Sequence, residues 1–175
     1  IPGTNPQEPP VKAGEFVLGY RDEMGGVQRT EPETLGRNGT YVAFRKLHQR
    51  VAAFRRYLKA NATSTAQEEL LAAKMMGRWR SGAPLALCPV HDDPALGADP
   101  RRNNAFLYEA DDAAGFKTPG GSHIRRTNPR DASIAGVARI HRMIRRGTAY
   151  GPLLPDGVLE DDGADRGLMF AFVGA

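Results

Sequence analysis

Cysteine occurs once in the 175 residues, at Cys88. A single thiol excludes an internal disulfide framework and points to a reducing compartment, so the expected location is cytoplasmic. Aromatic residues make up only 7%, with one tryptophan, Trp79. No run of about 18 apolar residues occurs, so no membrane-spanning helix is expected. Neither sign of charge dominates: the net charge is +4. That mild basicity favours anions but falls short of a nucleic-acid signature. Signal-peptide patterning, internal repeats and EF-hand spacing are all missing. So are G-x-S-x-G, the P-loop, H-E-x-x-H and the Rossmann fingerprint, which removes several common enzyme classes.

What remains has the composition of a globular domain, with 41% hydrophobic and 25% charged residues. The chain starts Ile1-Pro2-Gly3 and stops after the apolar run Leu168–Val173, so it is expected to be a segment of a longer protein. Residues 1–14 read as an extended lead-in. The alternation in Glu15–Tyr20 predicts a short strand, and Tyr41–Lys46 a second. Leu47, Val51, Phe54 and Leu58 then share one helical face, with Arg50, Arg55, Arg56 and Lys59 largely elsewhere. This is an amphipathic surface helix with a solvated basic face; an RNA- or lipid-binding helix would need an interleaved aromatic platform, which is missing. The form Thr65-Ala66-Gln67-Glu68 predicts the start of another helix, ended by Gly77. Residues 88–121 are loop-rich. Arg139–Arg145 is ambiguous between helix and strand and is read as a strand because it runs straight into Gly147–Pro152; Gly167–Val173 reads as a buried strand, with an acidic turn at 155–165. The order predicts an α+β fold with an antiparallel sheet.

Few residues carry recognisable chemistry. Cys88 and His91 beside Asp92-Asp93 fall short of a closed zinc set, and thiolate ligation of haem by Cys88 competes with an idle loop cysteine. The pairs Asp92/Asp93, Asp111/Asp112 and Asp161/Asp162 read as solvated turn residues. His48, His91 and His141 read as structural or exposed.

His123 differs by its company, "GGSHIRRTNPR" at 120–130. Nearby cations favour a neutral imidazole, which can ligate a metal. Arg125, Arg126 and Arg130 suit carboxylates or phosphates. Gly120 and Gly121 would let a flat ligand approach the backbone. A second arginine block follows at Arg145-Arg146. A haem or another acidic ligand is one reading of this set; a basic nucleic-acid module is another.

With both blocks in hand, the sequence resembles the dye-decolorising peroxidase family, in its larger bacterial and fungal branches. The matching stretches are "GSHIRRTNPR" at 121–130, "HRMIRRGTAYG" at 141–151 and "RGLMFAFVGA" at 166–175, with "NGTYVAFRKLHQRVAAF" at 38–54, "KMMGRWRSGAPL" at 74–85 and "DDPALGADPRRNN" at 92–104 upstream. The resemblance implies a pair of ferredoxin-like α+β modules of the dimeric α+β barrel type, incomplete in this chain, which would be the haem-binding C-terminal portion. It implies haem b as cofactor, His123 as proximal iron ligand, Arg145 as distal arginine, and Arg130, assisted by Arg125, as partner of a haem propionate. Hydrogen peroxide and aromatic donors such as dyes or phenols would be the substrates, with no nucleic acid or membrane partner and with oligomers possible. Trp79, Tyr108 and Tyr150 are candidates for electron transfer from large donors. The family's distal aspartate sits in a G-x-x-D-G motif that this chain lacks, so a haem-binding or haem-handling segment without full turnover is the alternative expectation.

Overall fold

The computed structural model describes residues 8–132 and 139–175. They fall into two compact units, one made of residues 11–57 and 139–175, the other of residues 8–10 and 58–132. The first seven residues of the expected lead-in lie outside the described residues.

The first unit is built on a three-stranded antiparallel sheet, β1 (Tyr41–His48), β2 (Ile144–Tyr150) and β3 (Gly167–Gly174), in the order β1-β3-β2. β-Branched and aromatic residues favour each strand, and β3 takes the centre because it is the most apolar. Register fixes the faces, since directly opposed residues share one. Arg145 opposes Phe172, and Phe172 opposes Ala43; Arg146 opposes Ala171, which opposes Phe44. One face therefore carries Arg145, Phe172, Phe170, Leu168 and Arg45, and the other Arg146, Val173, Met169, Phe44 and Lys46.

Two expectations need correction here. Glu15–Tyr20 is not a strand. Its start lies in a 3₁₀ turn, Ala13–Glu15, and the amides of Phe16 and Val17 both bond back to the Ala13 carbonyl. Phe16 and Leu18 are buried with Val11, so the alternation reported burial without a ladder. Gly14 fits only as glycine, because a Cβ there would lie 2.3 Å from the Arg21 carbonyl carbon. Strand β2 begins at Ile144 rather than Arg139. His141 adopts φ 53°, a left-handed conformation that no strand accommodates.

The remaining element of this unit, the short helix α1 (Glu33–Gly36), lies between Tyr20 and β1. Helix α2 (Val51–Ala60) follows β1, and Leu47, expected on its apolar face, instead ends the strand opposite Leu168. Arg55 ties α2 to the connection after β2 by donating to the carbonyls of Leu154 and Val158, each at 3.1 Å.

The second unit is mostly helix and loop: α3 (Thr65–Met76), α4 (Pro94–Ala98), α5 (Glu109–Asp112) and α6 (His123–Thr127). Helix α3 starts one residue earlier in its capping pattern than expected. Ser64 is the N-cap, its hydroxyl accepting from the Gln67 amide at 3.3 Å. Gly77 ends the helix at φ 90°, and a side chain there would also strike Ile124 Cγ1 at 2.3 Å. One core cluster joins Ala73, Trp79, Ala83, Leu85 and Leu96; the other joins Ala86, Phe106, Tyr108 and Ala132, with Ile124 packed on it. Trp79 donates its indole N–H to the Cys88 carbonyl at 2.7 Å. The architecture is α+β with an antiparallel sheet, as expected.

Candidate functional site

Helix α6 has five residues, too few to hold itself together in water. Its start follows the loop Pro119-Gly120-Gly121-Ser122, and Pro129 stops it after Asn128. Two faces result. Ile124 and Arg125 turn inward, while His123 and Arg126, three apart and on one side, are exposed. Among the described residues neither exposed side chain has a hydrogen-bond partner. Directly before His123, the buried Ser122 hydroxyl also lacks one.

Arg125 is only 5% exposed. Its Nη1 donates to the Asp112 carboxylate at 3.2 Å and to the carbonyls of Asp112 and Thr118 at 3.0 and 2.7 Å; Nη2 donates to the Ala113 carbonyl at 3.2 Å. The guanidinium also lies 4.6 Å from the Tyr108 ring centroid. It is an internal anchor, and Arg126 is the cation that shares a face with His123.

Arg130 is buried too, in a left-handed conformation at φ 55°. Its guanidinium stacks 3.6 Å from the Phe106 ring centroid. Nη1 donates to the carbonyls of Asn104 and Phe106, both at 2.9 Å. Asn104 Oδ1 then accepts from two cations, Arg78 Nη2 at 2.6 Å and Arg130 Nη2 at 3.2 Å. Burial lowers the pKa of both arginines; neither makes an ion pair among the described residues, and at Arg130 the Tyr108 and Glu8 charges oppose the shift. Burial also pushes the Tyr108 phenol up, against the pull of Arg130 and Arg125. Next in sequence, Asp131 accepts from the amides of Tyr108, Glu109 and Ala110 at 2.7, 3.1 and 3.3 Å. Despite the opposing effect of burial, those bonds hold its carboxyl below the usual range.

In the sheet unit, Arg145 lies exposed on β2, along a shallow groove lined also by Ile144, Arg146, Ala171, Phe172 and Val173. Neither the Arg145 nor the Arg146 side chain has a hydrogen bond or ion pair among the described residues. On the opposite face, Asp165 gathers Lys46, the Tyr150 hydroxyl at 2.9 Å and His48 Nδ1 at 3.4 Å. The Lys46 hydrogen bond, followed by that of Tyr150, holds the Asp165 carboxyl low.

The other candidates resolve into structural roles. Asp93 caps α4 by accepting from the Leu96 amide, and Asp92 accepts from the Ser81 hydroxyl. Cys88 bonds to the Pro84 carbonyl, and burial, reinforced by Asp92 and Asp93, raises its pKa away from a thiolate. Among the described residues no group of three His, Cys, Asp or Glu side chains could hold a metal. Trp79 and Tyr108 are core residues. Asp112 departs from the expectation of a solvated turn: its side chain is 3% exposed and paired with Arg125. Sequence reasoning also missed Arg78 and Asn104, because nothing local marks a partner about 25 residues away.

No protein-family model matches the chain. Curated and solved proteins do. The dye-decolorizing peroxidase of Mycena epipterygia is 37% identical over 182 residues, covering 94% of this chain and 34% of that protein. A solved dye-decolorizing peroxidase in complex with 2,6-dimethoxyphenol superposes with a TM-score of 0.79 at 37% identity, covering 92% of this chain and 38% of that one. The chain belongs to the dye-decolorising peroxidase family. A third relative, a dye-decolorizing peroxidase whose heme pocket was engineered for asymmetric sulfoxidation, matches with a TM-score of 0.77 at 32% identity over 98% of this chain and 42% of that one. The α+β, ferredoxin-like fold of the dye-decolorising peroxidases is consistent with the antiparallel sheet and helices found here. The chain spans about a third of the length of the curated relatives it matches. Among the described residues no helix is long and apolar enough to cross a membrane.

Proposed function

We propose that the chain is the haem-binding, C-terminal portion of a longer peroxidase that oxidises dyes, phenols or other aromatic donors with hydrogen peroxide. The carrying observation is His123: an exposed imidazole, without a partner among the described residues, on a helix whose inner face is locked by Arg125 and Ile124. A histidine so presented fits an axial ligand of haem b. Arg126, on the same face, is the nearest unengaged cation for a propionate. Arg130 keeps its Nε–H without an acceptor among the described residues and serves the same carboxylate. Arg125 acts from behind, as the anchor of α6.

Bound through His123, the iron porphyrin supplies the redox chemistry of peroxide cleavage. The protein's part on the peroxide side falls to Arg145. Where negative charge would develop on a departing oxygen, a permanently charged guanidinium on a paired strand would stabilise it with little reorganisation. Phe172, opposite Arg145 on the same face, would supply apolar surface beside that charge. No residue of the chain stands in a G-x-x-D-G motif, so proton transfer between the peroxide oxygens is assigned to none of them.

Titration with ferric haem tests the assignment. The Soret band of the loaded protein is expected to shift to that of a histidine-free site in His123→Ala. An unchanged spectrum rejects His123 as the axial ligand, and failure to bind haem in any form rejects the reading as a whole.

A further inference from the structure

We propose that Asp112 is a positioning residue for His123, an inference that rests on the haem reading above. His123 has no side-chain bond of its own among the described residues, so its direction is set by α6. That helix is short and is entered through a loop, 113–122, which holds three glycines. Such a segment loses much backbone freedom on ordering and needs an external brace.

Asp112 is the point where the bracing bonds converge. Its Oδ1 accepts from the Lys117 amide at 3.0 Å, and Oδ2 from the Thr118 amide at 2.6 Å, closing the loop on itself. Oδ2 also accepts from Arg125, two residues beyond His123, at 3.2 Å. One buried carboxylate thus fixes both the loop that leads into α6 and the inward side chain of α6. Arg125 returns the connection through the carbonyls of residues 112, 113 and 118. A buried ion pair contributes little net stability compared with an apolar replacement; fixing one arrangement is its best-attested use. The arrangement fixed here is the angle at which the His123 imidazole leaves the surface.

Asp112→Asn keeps the shape and removes the charge, and Arg125→Lys keeps the charge and removes the fork. In the haem-free protein, the NMR order parameter of the His123 backbone is expected to fall from about 0.85 to below about 0.6 in Asp112→Asn. In the haem-loaded protein, the iron–histidine stretching band is expected to broaden and shift, and the high-spin ferric signal to become more rhombic. Arg125→Lys should show the same changes more weakly and covers the case in which Asp112→Asn does not fold. A lower melting temperature with an unaltered order parameter and unaltered iron–histidine band overturns the proposal and leaves Asp112 a stability residue. His123→Ala separates the two claims. If it leaves the haem spectrum unchanged, the axial assignment fails, and the haem-free order parameter alone decides whether Asp112 positions the imidazole.

Discussion

Two sets of arginines, one in each unit, are handled in opposite ways. In the helix-and-loop unit, Arg78, Arg125 and Arg130 interleave with Phe106 and Tyr108, and their donors go to carbonyls, to Asn104 and to a single carboxylate, Asp112. In the sheet unit, Arg145 and Arg146 stand on an open strand with no partner among the described residues. A buried guanidinium is held by many weak bonds and cannot move toward a ligand without leaving carbonyls unsatisfied. An exposed one on a paired strand has its position set by the backbone and its donors free. The first kind builds a scaffold, from which only the Arg130 Nε–H is left over for a ligand, and the second is available for chemistry.

The largest test of that contrast is Arg145→Leu. In the haem-loaded protein its rate of reaction with peroxide should fall by about a hundredfold to a thousandfold, while the unfolding free energy changes by less than about 0.5 kcal/mol. Stopped-flow mixing and a denaturant titration measure the two, and a large stability loss would place Arg145 with the scaffold. Arg130→Met should do the reverse. It strands the carbonyls of Asn104 and Phe106 and removes the stack on Phe106, costing about 3 kcal/mol of stability by urea unfolding. A cost below 1 kcal/mol breaks the comparison from the other side.

The smallest effect belongs to Asp165. Its carboxyl sits lower in the folded protein than in the unfolded chain, so the stability it contributes is fully present above the ordinary carboxylate value near ~3.9. That contribution is lost as pH falls through the lowered folded value. Asp165→Asn should flatten the acid limb of the melting-temperature profile and leave the neutral region nearly unchanged. Because the group is exposed, salt should shrink the difference further.

The sequence was most readable where the signal is local. β-Branched and aromatic residues marked β1 and an unbroken apolar run marked β3, whereas the one segment read from alternation, Glu15–Tyr20, is no strand; the apolar face of α2 was visible apart from Leu47. The break at Gln49-Arg50 gave that residue to the strand instead. Gly77 was readable as a helix end because only the left-handed conformation needs it there. His123 and Arg145 stood out by their neighbours, and the same neighbours misled about Arg125. Composition cannot tell an arginine facing a ligand from one facing the core; the helical phase does, and it needs the exact start of α6. Asp112 and Asp111 look alike in sequence, yet one is buried in an ion pair and the other accepts only from the Leu107 amide at 3.0 Å. Asn104 was invisible because its meaning lies in two partners brought in from Arg78 and Arg130.

The register of β2 on β3 has a consequence for how this protein can change over evolutionary time. Arg145 and Arg146 are adjacent, so a slip of one residue would exchange them between the faces and turn the guanidinium away from Phe172. Insertions between Gly151 and Arg166 are harmless only if they leave that pairing in phase. The anchors at the far end of the connection, Arg166 on the Pro152 carbonyl and Gln49 on the Arg166 carbonyl, both at 2.9 Å, hold it there. The connection can therefore vary in length and composition between relatives while the two strand ends it joins stay locked in step.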